Sequence, residues 1–83
     1  MRIFVDVRTP GNGKTYEFQL YSSMTVRQVK LKMIEEITDA EDGNITLDPS
    51  RAILSSLTIR KILPDTDTLA SVGVTSGQDL LLI

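Results

Sequence analysis

The sequence contains no cysteine, no histidine and only three prolines, and its aromatic residues are two tyrosines and two phenylalanines. Without thiols or imidazoles it can form no disulfide, cannot hold structural zinc through the usual ligands, and has neither a thiolate nucleophile nor an imidazole base. Long apolar runs are missing too. Nothing approaches the roughly 20 residues a membrane helix needs, and Arg2 and Asp6 put charges where a secretory signal would be apolar. There is no excess of basic charge either: eleven acids against nine bases leave a net charge of −2. That balance does not supply the cationic surface that nucleic-acid binding requires.

What is present is an ordinary globular composition. The chain has 83 residues, of which 41% are hydrophobic and 24% charged, so one packed core must hold it. The expectation is a single cytoplasmic domain over residues 1–83 with no cofactor, no metal and no insertion into a membrane.

Over residues 1–7 the odd positions are Met, Ile, Val and Val, while Arg2 and Asp6 alternate with them; Phe4 is the apolar exception on the polar side. This period of two marks a half-buried strand. Pro10-Gly11-Asn12-Gly13 then supplies a tight turn, because Asn-Gly tolerates positive φ. A second alternating strand follows over residues 15–20, with Tyr16, Phe18 and Leu20 on one face.

Helix chemistry begins at Thr25, which can form a capping box with Gln28, with Met24 placed to pack on Val29. Val26, Val29, Met33 and Ile37 form one stripe at helical spacing, Ile34 flanks it and Leu31 points away. Asp42-Gly43-Asn44 reads as the stop. Beyond Asp48-Pro49 the apolar runs Ala52-Ile53-Leu54 and Leu57 to Leu63 are too short to be assigned by period, and two strands are expected there. Residues 69–72 read as one helical turn ending at Gly73. Residues 80–83, Leu-Leu-Leu-Ile, suit a central strand. The expected class is α+β: a mixed sheet over one helix in the order β-β-α-β-β-turn-β.

That order resembles ubiquitin, and the residues carry the likeness. Met1-Arg2-Ile3-Phe4-Val5 is similar to ubiquitin's opening, Gly13-Lys14-Thr15 to its first hairpin, and Thr25-Val26, Val29-Lys30 and Met33 to its helix. Arg51-Ala52-Ile53-Leu54 is similar to its third strand, Leu63 with Asp65 to its fourth strand and the turn after it, Thr68-Leu69 to its short helical turn, and residues 80–83 to its last strand. Extra residues stand at the first hairpin, at the helix end and between Leu54 and Lys61. The resemblance implies a ubiquitin-like β-grasp.

Within that superfamily, Lys61-Ile62-Leu63, Asp67-Thr68-Leu69 and Gly73-Val74-Thr75-Ser76-Gly77-Gln78-Asp79-Leu80 resemble the YukD/EsaB proteins of bacterial type VII (WXG100, Esx-type) secretion systems. This implies a cytoplasmic accessory that docks secretion-system proteins. Ubiquitin-type modifiers and sulfur carriers end in a flexible Gly-Gly, whereas this sequence ends Leu82-Ile83, so a non-conjugated binding module is expected. A regulatory domain cut from a larger membrane component of the same machine is the alternative, and a modifier lacking its tail is a further one.

No residue is expected to be catalytic, since no spacing brings carboxylates together on a marked pocket. Asp39, Glu41, Asp42 and Asp48 lack the ligand order of a calcium loop and read as solvated carboxylates. Glu35, Glu36 and Asp39, with Glu41 and Asp42, crowd the helix C-terminus, where the macrodipole disfavours negative charge. A docking surface for a basic partner is one reading of them, and solubility the simpler one.

Lys30 lies about 40° around the helix from Val26, and the resemblance implies a partly buried structural ion pair between Lys30 and Asp65. Alternation turns Phe4, Leu81 and Ile83 to the outer face of the sheet, and the resemblance adds Ile53. Ile53, Leu81 and Ile83 also match the position of ubiquitin's recognition patch. These four residues are the expected protein-binding patch, with homodimerisation through the same face as a variant.

Overall fold

A computed structural model describes residues 1–43 and 47–83. Five strands and one helix follow in the order β1 (Arg2–Thr9), β2 (Lys14–Tyr21), α1 (Val26–Ala40), β3 (Leu54–Ser56), β4 (Lys61–Ile62) and β5 (Asp79–Leu82). They form one mixed sheet, ordered β2-β1-β5-β3-β4, with α1 across its inner face. The architecture is the α+β β-grasp.

The first hairpin follows directly from its alternation. Ile3, Val5, Val7 and Thr9 of β1 are buried, as are Phe18 and Leu20 of β2, while Arg2, Phe4, Asp6 and Arg8 face out. The strand runs two residues beyond the alternating stretch because Thr9 anchors the turn, accepting the amides of Asn12 and Gly13. Gly13 takes the positive φ of 70° that lets the chain reverse.

The helix starts where its local chemistry says. Thr25 accepts from the Gln28 amide at 3.2 Å, and the Gln28 side chain accepts from the Thr25 amide at 3.0 Å, closing the capping box. Val26, Val29, Met33, Ile34 and Ile37 bury their side chains against Val5, Leu20, Leu54, Leu69, Leu80 and Leu82. At the other end, two successive residues, Asp42 (φ 52°) and Gly43 (φ 76°), turn left-handed, and the Gly43 amide donates to Thr38 O. Asn44, the third residue of the expected stop, lies outside the described residues.

Three expectations change. The apolar run at 52–54 contributes only its last residue to β3, which continues through Ser55 and Ser56; β4 is two residues long, and residues 57–60 form a turn between them. Neither strand makes its ladder from its own apolar pattern: β3 is held by β5 along Leu54↔Leu82, Ser55↔Leu81 and Ser56↔Leu80. Residues 69–72 form hydrogen-bonded turns rather than a helix, with the Val72 amide on Thr68 O and the Gly73 amide on Ala70 O.

The turn at 57–60 is fixed by polar side chains. Ser56, 1% exposed, accepts the Ile59 amide and donates to Gln78 Oε1. Gln78 in turn donates to Gly73 O and Thr75 Oγ1. Thr58 Oγ1 accepts the Asp79 amide, and the Leu57 amide donates back to Asp79 O. Arg60 closes the turn at φ 55°, the left-handed region where a side chain costs about 1 kcal/mol.

Thr25→Ala removes the acceptor for one orphan amide and half of the capping box. It is expected to lower unfolding free energy by about 1 kcal/mol in urea denaturation with an unchanged m-value.

Candidate docking face

The outer face of the sheet is set by register. Parallel pairing puts Leu81 beside Arg8, and antiparallel pairing puts it beside Ser55, which is itself opposite Ile62. Arg8, Leu81, Ser55 and Ile62 therefore form one row across four strands. In the next row Ile53 and Ile83 exchange both backbone hydrogen bonds, at 2.7 and 3.0 Å, so their side chains stand together. Ile53, Ile62 and Ile83 are 44%, 66% and 54% exposed, and Leu81 is half-buried on the same face. Ser55, the small member of its row, lines an open groove of about 350 Å³ together with Ile62 and Leu57.

Phe4 does not join this surface. It is exposed, but it lies opposite Gln19, two outward rows from Arg8, or about 13 Å along the strand. The intervening row is Asp6, Glu17 and Asp79, three carboxylates side by side. The expected four-residue patch is thus two regions parted by acid. Alternation assigns a face and says nothing about distance along the strand, which is why the sequence could not separate them.

Ile62, Leu57 and Ile59 were not among the expected patch residues, and each is exposed. Leu57 stands across an open groove of about 420 Å³ from the hairpin residues Arg8, Thr9, Pro10 and Lys14, with Leu81 also lining it. The sequence signal for Ile62 was its position one residue before the buried Leu63, opposite in the alternation.

Two polar clasps hold the face from behind. Lys30, only 6% exposed, donates to Ala52 O and lies 2.7 Å from Asp65 Oδ1, which is 40% exposed. It ties α1 to the segment entering β3 and to the turn after β4. Glu41, the C-cap of α1, receives Lys14 Nζ on both oxygens at 2.8 and 2.7 Å, and Tyr16 donates its hydroxyl at 2.7 Å. Asn12 donates to the same Tyr16 oxygen. This links the first hairpin to the helix end.

The Glu41 clasp shifts the titration of its members. The hydrogen bonds from Lys14 and Tyr16 hold the Glu41 carboxyl below its ordinary value. The bond to Glu41 raises Lys14, and burial followed by the same bond raises Tyr16. Glu41 therefore leaves the acidic cluster, spending its charge inside the fold. Glu35, Glu36 and Asp39 remain exposed on α1, Glu36 lying 3.9 Å from Lys32. Among the described residues no group of three acidic side chains could hold a metal ion.

No family model matches the chain, and comparison with curated protein sequences gives no match. Solved structures do match. The UBL domain of Plasmodium falciparum Dsk2 is 26% identical with a TM-score of 0.76, the alignment covering 99% of this chain and 96% of that one. The ubiquitin of Caldiarchaeum subterraneum is 25% identical with a TM-score of 0.73, covering 100% and 92%. The N-terminal ubiquitin-like domain in the 4931431F19Rik protein is 27% identical with a TM-score of 0.72, covering 99% and 73%. The chain has the ubiquitin-like β-grasp fold.

Asp65→Asn leaves the buried Lys30 ammonium without its counter-charge, and a loss of about 1–2 kcal/mol is expected; the half-open position of Asp65 keeps it below the value for a fully buried pair. Lys30→Met, which removes the charge itself, should cost less. Equal losses in urea denaturation would show that Asp65 does not hold the ammonium.

Because the folded Glu41 carboxyl titrates below its unfolded value, its contribution is complete above the ordinary carboxylate range and fades as pH falls through the lower folded value. Glu41→Gln should lower the melting temperature at neutral pH and flatten its decline in acid. Parallel acid profiles for the two proteins would contradict the clasp.

Proposed function

We propose that the chain is a ubiquitin-like protein-docking module that acts by presenting the outer sheet face around Ile53, Leu81 and Ile83 to another protein, without conjugation and without catalysis. The observation that carries this reading is the register: it stacks Ile53 on Ile83 and sets Leu81 and Ile62 in the adjoining row, all on the side of the sheet away from α1. A small domain does not need such a surface for its own core, since Leu80, Leu82 and Leu54 already fill the inner face. Ubiquitin-like domains are found among the structural relatives, which supports a module rather than an enzyme.

The setting we propose is the cytoplasmic side of a type VII secretion machine. It rests on the likeness of residues 61–63, 67–69 and 73–80 to the YukD/EsaB proteins; the structural relatives bear on the fold and not on this setting. Among the described residues no helix is long and apolar enough to cross a membrane.

Leu81→Lys keeps the inner face intact and places a charge at the centre of the outer one. It should leave the melting temperature within a few degrees of the parent while reducing recovery of protein partners from a lysate of the native host by about tenfold. Full recovery by a folded Leu81→Lys protein would end the docking reading, and a gene neighbourhood without a membrane ATPase and WXG100 substrates would end the secretion setting.

A further inference from the structure

The turn at residues 57–60 and the short β4 after it combine three features that the fold itself does not require. Leu57, Ile59 and Ile62 are 39%, 38% and 66% exposed. Arg60 and Lys61 are exposed and make no ion pair among the described residues, although the chain carries more acids than bases. Arg60 also holds a left-handed backbone, φ 55°, where glycine would be relaxed. A strained non-glycine residue at an exposed turn points to a role for its side chain.

The turn is ordered before any partner arrives. The Leu57 amide donates to Asp79 O, the Ile59 amide to Ser56 Oγ, and Thr58 Oγ1 accepts the Asp79 amide, while Ser56 is itself held by Gln78, so little freedom remains to be lost on binding. Ser55, Ser56, Leu57, Arg60, Lys61 and Ile62 line a groove of about 350 Å³ at the β4 edge. This groove adjoins the row of Leu81 and Ile62.

We infer that Arg60 and Lys61 select the partner: the sheet face, together with the groove at its β4 edge that both cations line, takes an acidic segment of another protein in which carboxylates alternate with large apolar side chains. The apolar groups of the segment fill the groove that Ser55, Leu57 and Ile62 line, beside Leu81, while its carboxylates meet Arg60 and Lys61, which line the same groove at the β4 edge. The row of Asp6, Glu17 and Asp79 repels the same segment at the opposite end and so limits where it can lie. This inference rests on the sheet face being the docking site and adds the chemistry of what docks.

The test uses the 83-residue chain as bait for a random-peptide display library, followed by affinity measurement on the enriched peptides. Enriched sequences should carry two or more Asp or Glu beside Leu, Ile or Phe. The double substitution Arg60→Glu, Lys61→Glu should weaken them about tenfold or more, and added salt should weaken the parent complex. Arg60→Gly should lose affinity while the folded state is as stable as the parent or more so, which separates recognition from folding.

Neutral or basic peptides whose binding Leu81→Lys abolishes would overturn the charge selection and leave the docking face standing. Enriched peptides indifferent to Leu81→Lys would overturn both. Binding to vesicles of phosphatidylserine and phosphatidylcholine lost in the double variant, self-association through the face in sedimentation, or failure to enrich any sequence would each overturn the inference as well.

Discussion

The pairing of β5 with both β1 and β3 is the constraint on which the other contacts depend. Leu80 and Leu82 complete the core under α1, and the same four residues supply the ladder that joins the first hairpin to the β3–β4 pair. Without β5, β3 and β4 would share only two residue pairs, Ser55↔Ile62 and Ser56↔Lys61, too few to persist in water. The buried relay from Ser56 through Gln78 to Gly73 exists because β5 enters the sheet there. Its outward residues, Asp79, Leu81 and Ile83, then decide where the outer face is acidic and where it is oily.

Charge in this chain is arranged rather than averaged. Lys30 and Glu41 each have their charge met within the fold, one behind the centre of the sheet and the other at the hairpin end. Asp6, Glu17 and Asp79 gather on one outer row, where Arg8 reaches Asp79 at 3.9 Å. A net charge of −2 therefore says little about any one surface. The β4 edge is cationic in a protein that is acidic overall.

The first hairpin and α1 were readable because their signals are local. Strict alternation, an Asn-Gly turn and a Thr25–Gln28 box each act within a few residues and need no distant partner. The region after Asp48 was not, because β3 and β4 borrow their hydrogen bonds from β5 and their turn from Ser56, Thr58 and Gln78. A left-handed Arg60 has no signal in sequence at all, since arginine rarely adopts that conformation. Likewise Leu81, Ile53 and Ile83 could be placed on one face by alternation and likeness, but the isolation of Phe4 depended on register. Ile62 was hidden by its own short apolar run, in which Leu63 is the buried member.

Because the central strand is the last of the five along the chain, the nascent polypeptide leaves the ribosome with two unfinished edges. The inner edge of β1 and the inner edge of β3 both stay bare until Asp79 to Leu82 emerge, although β1 is the first of the five strands to be made. Closure of the sheet is therefore a late, long-range event, and the interval before it is when this domain is most open to mispairing with a neighbouring chain.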